Sequence, residues 1–139
     1  MKQLIITIII LIQLIPHQAY AIIKTRFEIE SVYDGDTIKI KDRYLNYLPL
    51  SVRINGIDTP EKGHRAKCDK ERKLAIEAKT YLEYLINEYD YYFVILGWDK
   101  YGGRILADLY IDNINVKHAL IKAGLAKNYN GGKKENWCD

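Results

Sequence analysis

Apolar and polar residues alternate in several short runs along the chain, and this pattern predicts β-strands. Residues 27–33, 37–40 and 50–54 alternate at period two, as strands with one face on a core do. Within the third run, Val52 and Ile54 fall on one face and Arg53 on the other. Residues 92–96 are continuously apolar and β-prone, which is typical of a buried strand, and residues 105–111 form a fifth predicted strand.

Helical spacing separates the third predicted strand from the fourth. From residue 68 to residue 86 one apolar stripe predicts an amphipathic helix. Its members are Leu74, Ala78, Tyr81, Leu82, Leu85 and Ile86. A second, shorter helix is predicted over residues 116–123, with Asn115 as its N-cap and Gly124 as its end.

The order is therefore three strands, a helix, two strands and a helix. It predicts an α+β fold, mainly β: a five-stranded Greek-key barrel of the OB type with two flanking helices. Such barrels bind oligonucleotides or oligosaccharides, but the fold alone does not give the function.

The N-terminal segment has the pattern of a secretory signal. Lys2 precedes an apolar run of 12 residues at positions 4–15, and Ala19 and Ala21 form an A-x-A cleavage site. A membrane anchor is the alternative, but a spanning helix needs about 20 apolar residues. We therefore expect a signal peptide at 1–21 and one domain at 22–139, exported to the periplasm or the medium and free of the membrane after cleavage.

Composition adds two observations. The net charge of +3 permits an anionic partner without arguing for one. Cys68 and Cys138 both lie in the exported part, where a pair of cysteines favours a disulfide. A zinc site built from His64, Cys68 and Cys138 is the alternative, although a fourth ligand is not evident and the spacing matches no common zinc finger.

Five charged residues, in four places along the chain, are not required by a barrel. Asp36 ends an Asp-Gly-Asp turn, Arg53 leaves the third strand on its polar face, Asp58 and Glu61 follow at once, and Arg104 precedes the fifth strand. Each motif alone has a simpler explanation as a turn, a polar loop or a surface charge.

Together these residues fit phosphodiester hydrolysis. Asp36 and Asp58 offer the hard oxygen ligands that Ca²⁺ or Mg²⁺ prefers, and their loop setting favours Ca²⁺. Guanidinium groups match phosphate oxygens, so Arg53 and Arg104 can hold one phosphate between them. Glu61 can act as the general base toward water.

The segments VYDGDTIKI, VRINGIDTPE and DKYGGRILADLYI, followed by VKHALIKAGLAKNY, resemble the staphylococcal nuclease (thermonuclease) family. The resemblance covers residues 27–129 and is specific, since the three motifs occur in order. It implies the OB barrel and Ca²⁺-dependent cleavage of DNA and RNA. Asp36 and Asp58 resemble the carboxylate ligands of Ca²⁺, Thr59 would offer its backbone carbonyl, and Glu61 resembles the general base.

The same resemblance implies the substrate contacts. Arg53 and Arg104 resemble the two phosphate-binding arginines, and Lys100 and Tyr101 match a Lys-Tyr pair that contacts substrate. Tyr129 is a rough counterpart of the tyrosines that stack on the nucleotide.

This chain departs from the family pattern in two further places. The family's short form reads D-K-Y-G-R, whereas here Gly102 and Gly103 add one residue before Arg104. The chain also ends soon after the second predicted helix, so a third helix is not expected.

Three hypotheses follow. The first is an exported, Ca²⁺-dependent, sugar-nonspecific endonuclease that cleaves DNA and RNA by in-line attack of water. It would act as a monomer, with single-stranded or locally open substrate favoured and no protein partner implied. The second is a non-catalytic OB module that binds nucleic acid. The third, an exported OB-fold binder of sugars or proteins, has no support beyond export.

Overall fold

The computed structural model describes residues 22–41 and 49–139. The predicted signal peptide and most of the turn between the second and third predicted strands lie outside the described residues. Among the helices in the described ranges, none has the length and apolar character needed to cross a membrane.

The described residues form nine strands, two α-helices and one 3₁₀ turn. The strands are β1 (Lys24–Thr25), β2 (Glu28–Asp34), β3 (Thr37–Lys41), β4 (Pro49–Ile54), β5 (Ile57–Asp58), β6 (Tyr91–Trp98), β7 (Arg104–Ile111), β8 (Ile114–Asn115) and β9 (Lys127–Asn128). The helices are α1 (Asp69–Glu88) and α2 (Val116–Lys122), and the 3₁₀ turn is Gly63–Arg65.

The main sheet closes into a barrel. Its strands follow the order β1-β6-β7-β4-β3-β2, with β8 added to β7, and β4 and β7 run parallel while the other neighbours are antiparallel. Only Arg26 and Phe27 separate β1 from β2, so one stretch of chain completes both edges of the sheet. A separate ladder pairs β5 with β9.

The core lies inside this barrel and under α1. Alternate residues of the strands are fully buried, as the period-two pattern predicts, and Ala78 and Leu82 of α1 and Leu120 of α2 join them. The largest fully buried strand side chains are Ile38, Ile40, Val52, Ile54, Ile57, Phe93 and Leu109. The predicted OB-type barrel with two flanking helices is confirmed.

The predicted helix boundaries also agree closely with the structure. Cys68 is the N-cap of α1, and its Sγ accepts the N–H of Glu71 at 3.4 Å. The Asn115 side chain accepts the N–H of Lys117 at 2.9 Å and caps α2. Residues 123–139, all of them described, contain no helix, as expected.

Gly35 lets the β2–β3 turn approach α1 and the segment after β5. A Cβ at this position would lie 2.8 Å from Ala78 Cβ and 2.9 Å from Thr59 Cγ2, closer than carbon atoms pack. The adjacent Asp36 and Thr59 are both predicted site residues, so this close approach also sets the distance between them.

Gly35→Ala should destabilise the protein by about 1–3 kcal/mol, because an added methyl group has no space between Ala78 and Thr59. Urea denaturation measures the loss. Gly132→Ala is the matched control, since its Cβ would meet only the Asn130 side chain at 3.6 Å. Equal stability of the two variants would contradict the prediction.

A disulfide joins Cys68 and Cys138 across 70 positions of sequence, with a Cα–Cα distance of 6.0 Å. It attaches the end of the chain to the start of α1. Because the two sulfurs are bonded to each other, they cannot serve as thiolate ligands in the zinc site considered with His64.

Replacing both cysteines with serine should lower the free energy of unfolding by about 4 kcal/mol, since the unfolded chain loses a long covalent loop. A serine in place of Cys68 retains an N-cap acceptor, so the loss would report the cross-link and not the cap. Urea denaturation of this variant and of the reduced wild-type protein tests this, and an unchanged midpoint in both would contradict it.

Candidate active site

Asp36 is the most heavily bonded carboxylate of the site. It is buried at the end of the β2–β3 turn, and its Oδ1 accepts the Thr37 hydroxyl at 3.1 Å. Its Oδ2 accepts both the N–H and the hydroxyl of Thr59, at 3.1 and 3.0 Å. Burial raises the pKa of Asp36 above its ordinary value, and the nearby Arg53 guanidinium opposes that rise.

Arg53 is fixed by three interactions on the polar face of β4. It forms an ion pair with the Asp36 carboxylate, and its Nη1 also donates to the Asp36 carbonyl at 3.3 Å. Its Nη2 donates to the Ile57 carbonyl at 2.8 Å. The side chain is only 12% exposed, so the guanidinium is held in one place at the wall of a cleft.

Asp58, in the short strand β5, is more deeply buried than the carboxylates of Asp36 and Glu61. Its side chain is 5% exposed, and no hydrogen-bond donor of the described residues meets its buried Oδ1 in bonding geometry. The Lys134 ammonium lies 2.7 Å from this oxygen and neutralises it as an ion pair. Asp58 therefore holds a buried negative charge whose oxygen suits a cation.

The Glu61 carboxylate pairs with the same Lys134 ammonium as Asp58 does. Lys134 Nζ lies 2.9 Å from its Oε1, and Arg65 Nε lies 3.2 Å from its Oε2. Partial burial would raise the pKa of Glu61, but Lys134 and Arg65 outweigh it and hold that pKa below its ordinary value. The carboxylates likewise outweigh burial at Lys134 and raise its pKa, so the ammonium stays charged.

Arg104 starts β7 and pairs with Asp99, whose side chain is 10% exposed. Burial would raise the pKa of Asp99, but the bond to Arg104 outweighs it and lowers that pKa. The Asp99 N–H donates to the Arg104 carbonyl at 2.9 Å and closes the loop between them. Gly102 and Gly103 both have left-handed φ angles, +70° and +75°, so the extra glycine is accommodated inside the loop.

One cleft of about 760 Å³ brings most of these side chains together. Because Ser51 of β4 lies opposite Arg104 of β7, the two predicted phosphate-binding arginines line the same wall. The predicted site residues that line the cleft are Asp36, Arg53, Thr59, Glu61, Lys100, Tyr101, Arg104 and Tyr129. Asp58 adjoins it through Lys134.

The predicted nucleotide contacts lie at the mouth of the cleft. Tyr101 is 78% exposed, and Lys100 Nζ lies 4.8 Å from its ring centroid. The same ammonium donates to the Gly131 carbonyl at 3.2 Å. Tyr129 is held by its backbone N–H, which donates to the Gly56 carbonyl at 2.9 Å.

The three acidic residues predicted for the site do not form a tight cluster. In the described part of the chain, the carboxylate oxygens of Asp36, Asp58 and Glu61 do not all lie within 4.8 Å of one another. Among the same described residues, the group that meets this distance is Cys68, Glu71 and Cys138, whose sulfurs form the disulfide.

Sequence reasoning missed two supports of the site. Glu71, buried in the first turn of α1, accepts the N–H groups of Glu61 at 3.2 Å and Lys67 at 2.7 Å, and so holds the loop that carries Glu61. Lys134 lies in an aperiodic tail, and the only signal for its position was Cys138, four residues later.

A family model, that of the staphylococcal nuclease homologue, matches residues 51–137. The chain belongs to the staphylococcal nuclease family. The match includes Arg53, Asp58, Glu61 and Arg104 and begins after Asp36. A comparison with curated proteins gave no match. Family membership makes nuclease activity the general expectation, with nucleic acid as the substrate.

Glu61 should stabilise the fold above its ordinary pKa of 4.5, and this contribution should disappear as the pH falls through its lower folded-state pKa. The difference in unfolding free energy between wild type and Glu61→Gln should therefore shrink below pH 4.5. Urea denaturation from about pH 7 to about pH 3 measures it, with exposed Glu77→Gln as the control. A difference that does not vary with pH would contradict the prediction.

Proposed function

We propose that this family member is a Ca²⁺-dependent, sugar-nonspecific endonuclease that hydrolyses phosphodiester bonds of DNA and RNA. The observation that carries the proposal is the shared cleft, in which Arg53, Arg104 and Glu61 face one volume. Phosphoryl transfer needs an anion clamp and a group that accepts a proton from water, and these three side chains are of the required types.

The donor set fits a hard divalent cation. The buried Asp58 Oδ1 has no hydrogen-bond donor in the described residues, and it already faces a positive charge in Lys134. Asp36, Asp58 and the Thr59 carbonyl would hold the ion, and irregular oxygen sets of this kind suit Ca²⁺. The bound ion would stabilise the negative charge that develops on the phosphate.

The chain's own groups would perform the remaining work. Arg53 and Arg104 would each donate to phosphate oxygens, and Arg53 is already anchored in position by the Ile57 carbonyl. Glu61, whose pKa lies below its ordinary value and which is therefore ionised at neutral pH as any carboxylate of ordinary pKa is, would accept a proton from the attacking water as the new P–O bond forms. The leaving oxygen would depart in line, on the opposite side of phosphorus.

Substrate positioning would fall to Lys100, Tyr101 and Tyr129, whose ammonium and rings lie at the cleft mouth. Aromatic stacking accepts any base, which agrees with a broad specificity for single-stranded or locally open substrates. The disulfide supports the proposal that the protein is exported to the periplasm or the medium, where we take it to act as a monomer.

Arg104→Gln should lower the rate of cleavage of single-stranded DNA in Ca²⁺ by about 10²- to 10⁵-fold, because it removes a transition-state donor. Arg72→Gln is the matched control, since Arg72 lies on the exposed face of α1 and pairs with Asp69. Gel-based cleavage assays measure the rates, and far-UV circular dichroism verifies that both variants fold.

Chelation of Ca²⁺ should abolish the cleavage, and folded protein that shows no metal-dependent cleavage would refute the proposal. The second candidate is a non-catalytic nucleic-acid-binding module, and the neutralisation of Asp58 and Glu61 by Lys134 favours it. That function predicts salt-sensitive binding that survives chelation and Glu61→Gln without turnover.

A further inference from the structure

The C-terminal segment, residues 131–139, folds back along the acidic side of the cleft, and we refer to it as the C-terminal strap. Lys127 of β9 anchors it three times: its Nζ donates to the Asn136 carbonyl at 2.7 Å, pairs with Glu135 at 3.3 Å, and lies 4.6 Å from the ring centroid of Trp137. Trp137 is itself buried.

Two further anchors hold the ends of the strap. The disulfide attaches Cys138 to the start of α1, and the Gly131 carbonyl accepts the Lys100 ammonium at 3.2 Å. None of these anchors involves Lys134. The course of the strap is therefore defined independently of that side chain.

From the strap, the Lys134 side chain extends to two carboxylates of the site, those of Asp58 and Glu61. Its Nζ lies 2.7 Å from Asp58 Oδ1 and 2.9 Å from Glu61 Oε1, and its side chain remains 45% exposed. The same Asp58 oxygen is the one that no other donor of the described residues satisfies. The ammonium thus occupies the position where the negative charge of the two acids is best compensated.

An ammonium and a divalent ion on this one oxygen would lie close together and repel each other, so the ammonium opposes binding of the ion there. We propose that Lys134 is a built-in competitor for the divalent cation, so that metal binding requires the ammonium to leave Asp58 and Glu61. The inference rests on the proposed function, since it takes Asp58 to be a metal ligand.

The disulfide tethers the C-terminal strap, and this tether makes the competition by Lys134 effective. Lys134 is four residues from the disulfide and adjacent to Glu135, so its ammonium is present at high local concentration wherever the strap is bound. A ligand whose site is open for only a fraction of the time binds more weakly by that fraction. Occupancy of the acids by Lys134 for most of the time would thus weaken metal binding about 10- to 100-fold.

The test measures the binding of Ca²⁺ alone to the purified, disulfide-intact protein by isothermal titration calorimetry. Lys134→Gln should bind Ca²⁺ about 10- to 100-fold more tightly than wild type. Lys133→Gln removes the same charge from the neighbouring exposed position and should leave the affinity unchanged. A Lys134→Gln variant that binds Ca²⁺ no more tightly than wild type, or not at all, would overturn the proposal.

Calcium titration of the variant Cys138→Ser is a second experiment, and this substitution does not alter the charge of the site. It should raise Ca²⁺ affinity in the wild-type background and have little effect in the Lys134→Gln background, because the tether then restrains no competitor. Equal effects in both backgrounds would overturn the role of the tether.

Cleavage assays on the same variants separate this inference from the proposed function. Tighter Ca²⁺ binding by Lys134→Gln without cleavage would support the competition and refute the nuclease. Ca²⁺-dependent cleavage with unchanged affinity would refute the competition and support the nuclease.

Discussion

The candidate site depends on the ion pair and the hydrogen bonds that the buried carboxylate of Asp36 makes. This carboxylate joins the β2–β3 turn to two segments that lie 17 and 23 residues further along the chain: β4 through Arg53, and the segment after β5 through Thr59. A buried ion pair adds little net stability compared with an apolar pair, but removal of one partner leaves an uncompensated charge. The network therefore defines positions more than it strengthens the fold, and the absence of a side chain at Gly35 allows the segments to meet.

The two arginines and Glu61 of the cleft are each paired with an opposite charge. Arg53 is paired with Asp36, Arg104 with Asp99, and Glu61 with Arg65 and Lys134. Under the proposed function, a phosphate would share each arginine with its acid, because a guanidinium has five N–H donors. The acids would then hold the donors in place while lowering the net positive charge that the phosphate meets.

The fold could be predicted from the sequence where its signals are local. Alternation placed Arg53 opposite Val52 and Ile54, and the apolar stripe located α1 to within a few residues. Short ladders such as β5–β9 have no periodicity, because two residues cannot show a period, and distant contacts determine them. The charged residues of the site were recognisable by type, but their partners were not: Lys134 lies 73 residues from Glu61, and no local pattern connects them.

The loop before Arg104 is closed by a backbone hydrogen bond, and its additional glycine lies inside the closed loop. Its ends are fixed by the bond between the Asp99 N–H and the Arg104 carbonyl, and the two left-handed glycines take up the additional residue beyond that junction. The β6–β7 ladder has a register shift between Ile95 and Gly97, and Arg104 lies opposite Ser51 of β4. A change in the length of this hairpin would therefore move Lys100 and Tyr101 more than Arg104, so the proposed substrate contacts and the proposed phosphate-binding group can vary separately.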